Sequence, residues 1–411
     1  MGMIVQKFGG TSVGTIERIL KAADKIIAAK QKGKDVVVVV SAMGKTTDVL
    51  VDMAREIWDE VPEREMDMLL STGEQVSIAL LSMALQSKGY SAVSLTGWQA
   101  GILTEPEHSK ARIKEIDTFK ILSHIHMGKI VIVAGFQGVT ENGEITTLGR
   151  GGSDTTAVAL ASSLNADLCE IYTDVDGVYS ADPRIVPTAR KIKSISFDEM
   201  LEMAKLGAGV LHPRAVKYAK KYKVRLTVRS SYSNVEGTYI QGNLGMEKDG
   251  HVCGIPHTED VVSIIITNFL NEADRMYALF SSLMQSRIPI DFFYLSSKDL
   301  PKTNISFVVS KEDAKLTLKL LESLKESIAF DEAYVETGLG IVSIVGEGLI
   351  SATDIVPKML TALACSNVSP NMISSSENVV SCLVPADRMV TAVRSLHSSF
   401  GLDTAELVIV H

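Results

Sequence analysis

The chain has 411 residues, of which 46% are hydrophobic and 22% are charged, an ordinary composition for a globular protein of roughly two or three domains. Its 41 basic and 49 acidic side chains give a formal net charge of −8, which argues against nucleic acid or a membrane surface as the main partner. No apolar run reaches membrane-spanning length, and the four cysteines lack C-x-x-C spacing. We therefore expect a cytoplasmic protein with reduced thiols.

The first element is a short apolar strand that leads into K-F-G-G-T-S at residues 7–12, and a helical pattern begins at Thr15. Glycines let a phosphate approach the backbone, and free N–H groups at a helix start attract anions. Lys7 stands where a fixed cation can neutralise a transferred phosphoryl group. The motif is neither a Walker A loop nor G-x-G-x-x-G. From these residues alone, an ordinary turn with an exposed lysine remains the alternative.

Five consecutive valines within residues 35–40 predict a strand that is buried on both faces and therefore parallel to its neighbours. The polar stretch 41–48 follows at its carboxyl end, which is the edge where open α/β sheets bind ligands. Ser41 and Thr47 can hydrogen-bond a small polar substrate there. They can equally be ordinary loop or cap hydroxyls.

A further helix is predicted to open at S-T-G-E, residues 71–74. In a capping box, Glu74 folds back onto the backbone amide of Ser71. In a functional site, the same carboxylate receives a substrate ammonium group. The residues alone leave both interpretations open.

A second glycine-rich loop, residues 147–156, follows a predicted buried strand at 130–134 and a hairpin turn at 141–144. Arg150 offers a planar fork that suits a carboxylate or a phosphate. Ser153 and Asp154 are also good N-caps. Two such loops in one domain, each placed after a strand, favour an anion site more strongly than one does.

A third core strand is predicted at 168–172, followed by T-D-V-D-G-V-Y at 173–179 and A-D-P-R at 181–184. The spacing does not match a calcium loop. An aromatic ring and a guanidinium here are plausible neighbours for a nucleotide. His212 is more simply interpreted as a structural hydrogen-bonding residue than as a base.

Residues 241–260 are predicted to form a linker, and an internal repeat follows it. The predicted helix 274–284 aligns with 354–363, and each is followed by two strands and another helix. The order strand, helix, two strands, helix, strand is ferredoxin-like. Such a pair suggests a sensing or assembly module, with simple structural duplication as the alternative.

Together these motifs resemble the aspartokinase family along essentially the whole chain. The resemblance adds S-A-M-G at 41–44, T-G-W-Q-A-G at 96–101 and L-H-P at 211–213 to the loops above. It implies an α/β fold with a three-layer αβα amino-acid-kinase domain at 1–245. Tandem ACT units of βαββαβ order are implied at 260–411, divided at approximately 260–340 and 341–411. The implied activity is ATP- and Mg²⁺-dependent phosphorylation of L-aspartate to 4-phospho-L-aspartate, the entry to lysine, threonine and methionine synthesis.

The resemblance also implies site roles. Lys7 and Asp154 would be catalytic, with Asp154 ordering the lysine and the substrate. The implied nucleotide-binding residues are Lys7, Phe8, Gly9, Gly10, Thr173, Asp174, Tyr179, Asp182 and Arg184. The implied aspartate-binding residues are Ser41, Thr47, Glu74, Arg150, Gly151, Gly152 and Ser153. No metal site made by the protein alone is expected.

The chain departs from the family pattern in two places. Gly209 stands where some members have lysine, so that nucleotide contact is missing or replaced. ACT effector helices usually open with Pro-Gly, but here Ala273-Asp274 and Thr353-Asp354 stand instead. We hypothesise that binding of an effector, lysine or threonine, is altered, weakened or confined to one unit.

We also expect a homo-oligomer assembled through the ACT units, because ferredoxin-like units expose sheet edges. Met246 is a possible internal start for a separate short regulatory chain. The alternatives for function are another amino-acid kinase, acting on glutamate or acetylglutamate, and a catalytically silent amino-acid sensor. The T-G-W-Q-A-G stretch with a tandem ACT tail disfavours the first. Retention of Lys7, Glu74, Arg150 and Asp154 disfavours the second.

Overall fold

The computed structural model describes residues 2–242, 251–296 and 301–403. The chain divides into two compact units. The first comprises Met1–Val178, Lys191–Lys205 and Gly209–Met246, and the second comprises Tyr179–Arg190, Leu206–Ala208 and Glu247–His411. Two short excursions from the amino-terminal half therefore group with the carboxyl-terminal half.

The strands and helices of the first unit alternate along most of its length. The strands are β1 (Met3–Phe8), β2 (Asp35–Val40), β3 (Ala92–Leu95), β4 (Ile102–Thr104), β5 (Ile113–Ile116), β6 (Ile130–Ala134), β7 (Gln137–Val139), β8 (Ile145–Thr147), β9 (Leu168–Thr173), β10 (Ser194–Ser196), β11 (Leu226–Ser230) and β12 (Thr238–Gln241). The helices are α1 (Ile16–Gln31), α2 (Thr46–Ile57), α3 (Glu63–Ser87), α4 (Phe119–His126), α5 (Gly152–Ser163), α6 (Phe197–Lys205) and α7 (Pro213–Tyr222).

The main sheet of this unit has the order β3-β6-β2-β1-β9-β11-β12-β10. The run from β3 to β11 is parallel, and β12 is antiparallel to β11. The valines of β2 are fully buried, as predicted for a strand covered on both faces. A smaller sheet has the order β5-β4-β7-β8, and its β7–β8 hairpin confirms the turn predicted at 141–144.

Helices cover both faces of the main sheet because successive side chains of a strand point to opposite sides. Val36, Val38 and Val40 share one hydrophobic core with α1 and α3. Helix α5 packs against β1, β2 and β9. The result is the three-layer αβα arrangement, with Lys7 on a strand between the two helical layers.

Helix α3 is long and apolar enough to span a membrane by length and composition. Its buried side chains instead pack within the first unit, against α1, α2, β3, β6 and β8. It begins at Glu63, so the predicted start at residue 71 is wrong. The capping-box interpretation of Ser71 and Glu74 falls with it, since both residues lie inside the helix.

The second unit consists of two helix-covered sheets. Its strands are β13 (His251–Gly254), β14 (His257–Thr258), β15 (Val261–Leu270), β16 (Asp291–Leu295), β17 (Lys302–Ser310), β18 (Glu332–Glu336), β19 (Leu339–Glu347), β20 (Met372–Ser375) and β21 (Val379–Pro385). Its helices are α8 (Ala273–Gln285), α9 (Lys311–Ile328), α10 (Ile355–Cys365) and α11 (Ala386–Ser399).

The first repeat, β15 to β18 with α8 and α9, has the antiparallel order β16-β17-β15-β18, which is ferredoxin-like. The second repeat, β19 to β21 with α10 and α11, has the order β13-β19-β21-β20, with β14 also paired to β19. β13 and β14, which precede the first repeat in sequence, therefore pair with β19 of the second repeat. The sixth element predicted for this repeat would fall within 404–411, outside the described residues.

Residues 251–258 were expected to belong to a linker, and that prediction is wrong. They form β13 and β14, and Val252 and Ile255 are buried in the core of the second repeat. The segment is short and is interrupted by Gly254 and Pro256, so no local pattern indicates a strand. The segment forms strands by pairing with β19, which lies about ninety residues downstream in sequence. Gln241, also in the predicted linker, ends β12, and residues 243–250 lie outside the described part of the chain.

The excursion 179–190 is fixed within the second unit by a polar cluster around the buried side chain of His397. Ser180 Oγ lies 2.9 Å from His397 Nε2, and His397 Nδ1 lies 2.8 Å from Asp403 Oδ1. Thr188 donates to the same aspartate oxygen at 2.6 Å. Burial lowers the pKa of His397 even though Asp403 opposes the shift. A neutral imidazole therefore joins the excursion to α11.

Candidate active site

The loops at the carboxyl ends of the parallel strands meet at one edge of the main sheet. The N–H of Gly9 donates to the carbonyl of Tyr172 at 3.2 Å, which joins the loop after β1 to the end of β9. The N–H of Ser41 donates to Phe8, and that of Gly135 donates to Val40. Ligands of open α/β sheets bind at this edge.

The glycine turn after β1 packs tightly against the loop after β2. The N–H of Gly44 donates to the carbonyl of Gly10 at 3.0 Å. A Cβ on Gly10 would lie 2.9 Å from the carbonyl oxygen of Ala42, so the close approach requires glycine. The backbone of K-F-G-G is thereby held at the site edge.

Lys7 and Asp154 form the central ion pair of this edge. Lys7 Nζ lies 2.7 Å from Asp154 Oδ1, and the two side chains are only 11% and 12% exposed. Lys7 is near the end of β1, and Asp154 is in the first turn of α5. The ammonium group therefore lies beside a helix N-terminus. Its positive charge and the free N–H groups of that terminus both favour a bound anion.

The turn before α5 is shaped by close packing. Gly151 has a φ of 68°, and a Cβ there would lie 2.1 Å from Cγ of His212. Gly151 is the N-cap and Ser153 and Asp154 lie within the first turn, so the alternative interpretation that they cap the helix is wrong. His212 caps α7 by accepting from the N–H of Arg214 at 3.2 Å. This confirms its structural interpretation.

Glu74 is a buried carboxylate that reaches the same edge from α3. Its Oε1 accepts from the N–H of Ala42 at 2.9 Å, whereas its buried Oε2 has no hydrogen-bond partner. Burial raises the pKa of Glu74 to about 7, against the opposing effect of the Ala42 amide. Gly73 allows the approach, because a Cβ there would lie 2.9 Å from Ala42 Cβ. A buried acceptor without a partner suits a ligand donor.

The remaining predicted residues of the first unit differ in exposure. Arg150 is exposed, and Ser41 and Thr47 are half-buried, with Thr47 in the first turn of α2. Thr173 ends β9, and its hydroxyl donates to Asp174 at 3.0 Å. Gly152 and Ser153 are buried in the first turn of α5.

Tyr179, Asp182 and Arg184 lie in the excursion that groups with the second unit. Arg184 is largely exposed, and its Nη2 lies 2.6 Å from Asp182 Oδ2. Hydrogen bonds from Arg184 lower the pKa of Asp182, although partial burial opposes this. Their part in nucleotide binding stays a prediction.

Sequence reasoning missed a buried polar network behind the site. Glu170 accepts from Gln6 at 2.7 Å and from Arg229 at 2.9 Å. The hydroxyl of Tyr172 donates to Glu170 at 3.1 Å, and its ring stacks on Phe8 with centroids 4.7 Å apart. Gln6 and Glu170 interrupt otherwise apolar strands, which was the available signal. The network braces β1 and β9 where both enter the site.

Comparison with known proteins identifies the family. Residues 2–230 match the model of the amino acid kinase family, and residues 342–400 match an ACT domain model. Aspartokinase 2 of Bacillus subtilis is 54% identical over 402 residues, covering 98% of each chain. The chain belongs to the aspartokinase family. Both the family and the fold class predicted from the sequence are confirmed.

Solved structures agree with this aspartokinase fold. E. coli aspartokinase III in complex with aspartate and ADP, in the R-state, matches with a TM-score of 0.82 and 26% identity over 97% of this chain and 99% of that chain. The same E. coli enzyme in complex with lysine and aspartate, in the T-state, matches with a TM-score of 0.76 and 25% identity over the same shares.

Proposed function

We propose that this aspartokinase transfers the γ-phosphoryl group of ATP to the side-chain carboxylate of L-aspartate, forming 4-phospho-L-aspartate and ADP. The observation that carries the proposal is the Lys7–Asp154 pair beside a glycine turn and the N-terminus of α5. Family membership supports it, since the E. coli relative is described in complex with aspartate and ADP. The product enters lysine, threonine and methionine synthesis.

The chemistry requires positioning and fixed charge rather than a general base. An aspartate side-chain oxygen bonds to the γ-phosphorus, and the bond to the β–γ bridging oxygen breaks, leaving its electron pair on ADP. The attacking carboxylate is already ionised at neutral pH. Lys7 stabilises the charge of the transferring group, and Asp154 holds the lysine in place.

Aspartate is held by the substrate-binding residues predicted from the sequence. Arg150 binds a substrate carboxylate through its planar fork. The unpartnered Oε2 of Glu74 receives the substrate ammonium group. Ser41 and Thr47 add hydroxyl contacts, and the backbone of 151–153 contributes amides at the start of α5.

ATP is held by the nucleotide-binding residues given above, and Mg²⁺ accompanies it. No group of three or more His, Cys, Asp or Glu side chains within residues 2–242, 251–296 and 301–403 is placed to hold a metal. Mg²⁺ in kinases takes most of its ligands from phosphate oxygens and water, with one or two carboxylates. Asp154 and Asp174 are the carboxylates at this edge that fit that need, and the ion would neutralise phosphate charge.

The carboxyl-terminal repeats serve regulation. We assign 1–245 to catalysis and 260–411 to a tandem ACT pair, approximately 260–340 and 341–411, that also assembles a homo-oligomer. Lysine or threonine is the proposed effector, in line with the lysine complex of the E. coli enzyme. A cytoplasmic location is proposed with it. Met246, the proposed internal start of a short regulatory chain, lies outside the described residues.

A coupled ADP-release assay tests the proposed reaction with L-aspartate, with L-glutamate and without an acceptor. We expect ADP release that depends on aspartate. Release that depends on glutamate instead would favour another amino-acid kinase. The absence of release with any acceptor would favour a silent sensor.

A further inference from the structure

Asp67 is a fully buried carboxylate on α3, seven residues and hence about two helical turns before Glu74. It accepts from the N–H of Ser109 at 2.9 and 3.1 Å and from Thr147 Oγ1 at 2.6 Å. His108 Nδ1 lies 2.9 Å from its Oδ2. A buried carboxylate is costly unless it is fully hydrogen-bonded. Asp67 therefore fixes α3, the segment at 108–109 and the end of β8 relative to one another.

A second side chain joins the same two segments. Arg214 donates through Nη1 to the carbonyl of Leu148 and through Nη2 to that of Ala111, both at 2.7 Å. The N–H of Ala111 also donates to the carbonyl of Thr147 at 3.0 Å. Asp67 therefore holds Thr147, and Arg214 holds the next residue, Leu148.

Backbone packing extends this bracing up to Arg150. Gly149 has a φ of 73°, and a Cβ there would lie 2.9 Å from the carbonyl oxygen of Ser109. Gly151, on the other side, packs against the ring of His212. The backbone on both sides of the exposed Arg150 is therefore set by its neighbours, and Asp67 fixes the two segments that meet at Gly149.

We propose that Asp67, acting through Thr147 and Ser109, is a positioning residue that sets the affinity of the Arg150 loop for the substrate carboxylate. The inference rests on the proposed role of Arg150. A guanidinium makes its paired hydrogen bonds only when its backbone is placed correctly. Loosening the end of β8 weakens aspartate binding and leaves the glycine turn after β1 unaffected.

Neighbouring threonines of β8 give a matched test. Thr147 and Thr146 are both buried, but the hydroxyl of Thr146 pairs with Thr104 at 2.6 Å instead of with Asp67. We expect Thr147→Val to raise the KM for aspartate about tenfold and to change the KM for ATP by less than about twofold. Thr146→Val should change neither by more than about twofold. Thr147→Ser, which keeps the hydroxyl, should restore aspartate KM.

His108→Ala provides a second variant, because His108 is partly exposed and its loss leaves the other bonds to Asp67 in place. It should raise the aspartate KM about threefold. If Thr147→Val does not fold, His108→Ala with no change in that KM overturns the proposal. Equal effects of Thr147→Val and Thr146→Val on the two KM values also overturn it.

Arg150→Ala, measured in parallel, separates this inference from the proposed function. If Arg150→Ala raises the aspartate KM but Thr147→Val behaves like Thr146→Val, only the role of Asp67 fails. If Arg150→Ala leaves that KM unchanged, the assigned role of Arg150 fails and the inference fails with it. A raised KM in both Arg150→Ala and Thr147→Val supports both.

Discussion

Glu74 shows how one buried side chain can combine a structural bond with a free acceptor. Its Oε1 is held by the Ala42 amide, while its Oε2 has no partner, and burial raises the pKa of the carboxyl to about 7. The folded state therefore holds a proton that the unfolded chain releases at lower pH. Between about pH 4.5 and 7 this group lowers stability as the pH rises. Such a cost is consistent with a site that a substrate ammonium completes.

Glu74 predicts a pH dependence of aspartate binding. Because the protonated carboxyl carries no charge, the KM for aspartate should rise as the pH falls through about 7 in the wild type. In Glu74→Gln, the KM should be raised and nearly independent of pH over the same range. Steady-state kinetics with saturating ATP measure this, with the KM for ATP as the internal control. A wild-type KM for aspartate that is flat across pH 7 would contradict the assigned role.

Local signals in the sequence located much of the site, but not the buried side chains that hold its loops in place. Lys7 and Arg150 were identified because glycine-rich turns mark them locally, whereas the S-T-G-E pattern left Glu74 open and the family resemblance gave it its role. Asp67 was not, because its partners lie 41 to 80 residues away in sequence and no local pattern reports them. The free oxygen of Glu74 likewise depends on how α3 packs against the loop after β2.

At the scale of elements, the junction of β8 and α5 is a tightly packed loop of the site. Gly151 has a left-handed backbone, and the ring of His212 occupies the space where a Cβ would lie. Gly143, in the β7–β8 hairpin turn, also has a positive φ of 83° but has nothing within 4 Å of its Cβ position. Both glycines therefore need a left-handed backbone, but only Gly151 has neighbouring atoms in the space that a Cβ would occupy.

This contrast predicts two different costs for the same substitution. Gly143→Ala should lower the free energy of unfolding by roughly 1 kcal/mol, the cost of the left-handed backbone. Gly151→Ala should lower it by roughly 3 kcal/mol, since His212 must also move, and it should raise the aspartate KM. Urea unfolding of both variants measures the difference. Equal losses of stability would show that the ring of His212 does not constrain the turn.

Elements marked by local patterns were predicted well, and those that depend on distant pairing were not. The valine-rich strands, the β7–β8 hairpin and the helix after the first glycine turn follow from apolar runs and turn residues. The start of α3 was missed because Glu63 to Asp67 includes four charged residues, E-R-E and D, and resembles a loop. Strands β13 and β14 were missed because they pair with β19, which is distant in sequence.

At the scale of the whole molecule, the regulatory half departs from the usual ACT pattern at its effector helices. Asp274 lies in the first turn of α8, and Asp354 is the N-cap residue of α10 without a side-chain capping bond. A carboxylate at a helix N-terminus competes with an anionic ligand for the same amides and repels it. The departure predicts weak or single-site binding of effector.

Isothermal titration of the full chain with lysine and with threonine tests this expectation. We expect at most one micromolar site per chain for either amino acid. Asp274→Gly and Asp354→Gly, titrated in parallel, should strengthen binding at the unit that carries the change, because each removes the competing carboxylate. Micromolar binding of either amino acid at both units of the unmodified chain would remove the hypothesis.

The central claim is that phosphoryl transfer occurs where Lys7 meets Asp154, at the carboxyl edge of the main sheet. The control is Lys34, which pairs with Asp167 at 3.3 Å at the amino ends of β2 and β9. Replacing it removes a lysine ion pair from the same sheet, far from the proposed chemistry.

The most direct measurement is therefore kcat for aspartate-dependent ADP release in Lys7→Ala and Lys34→Ala. We predict that Lys7→Ala lowers kcat by about a hundredfold or more, while Lys34→Ala stays within about twofold of the unmodified enzyme. A near-normal kcat in folded Lys7→Ala would contradict the account.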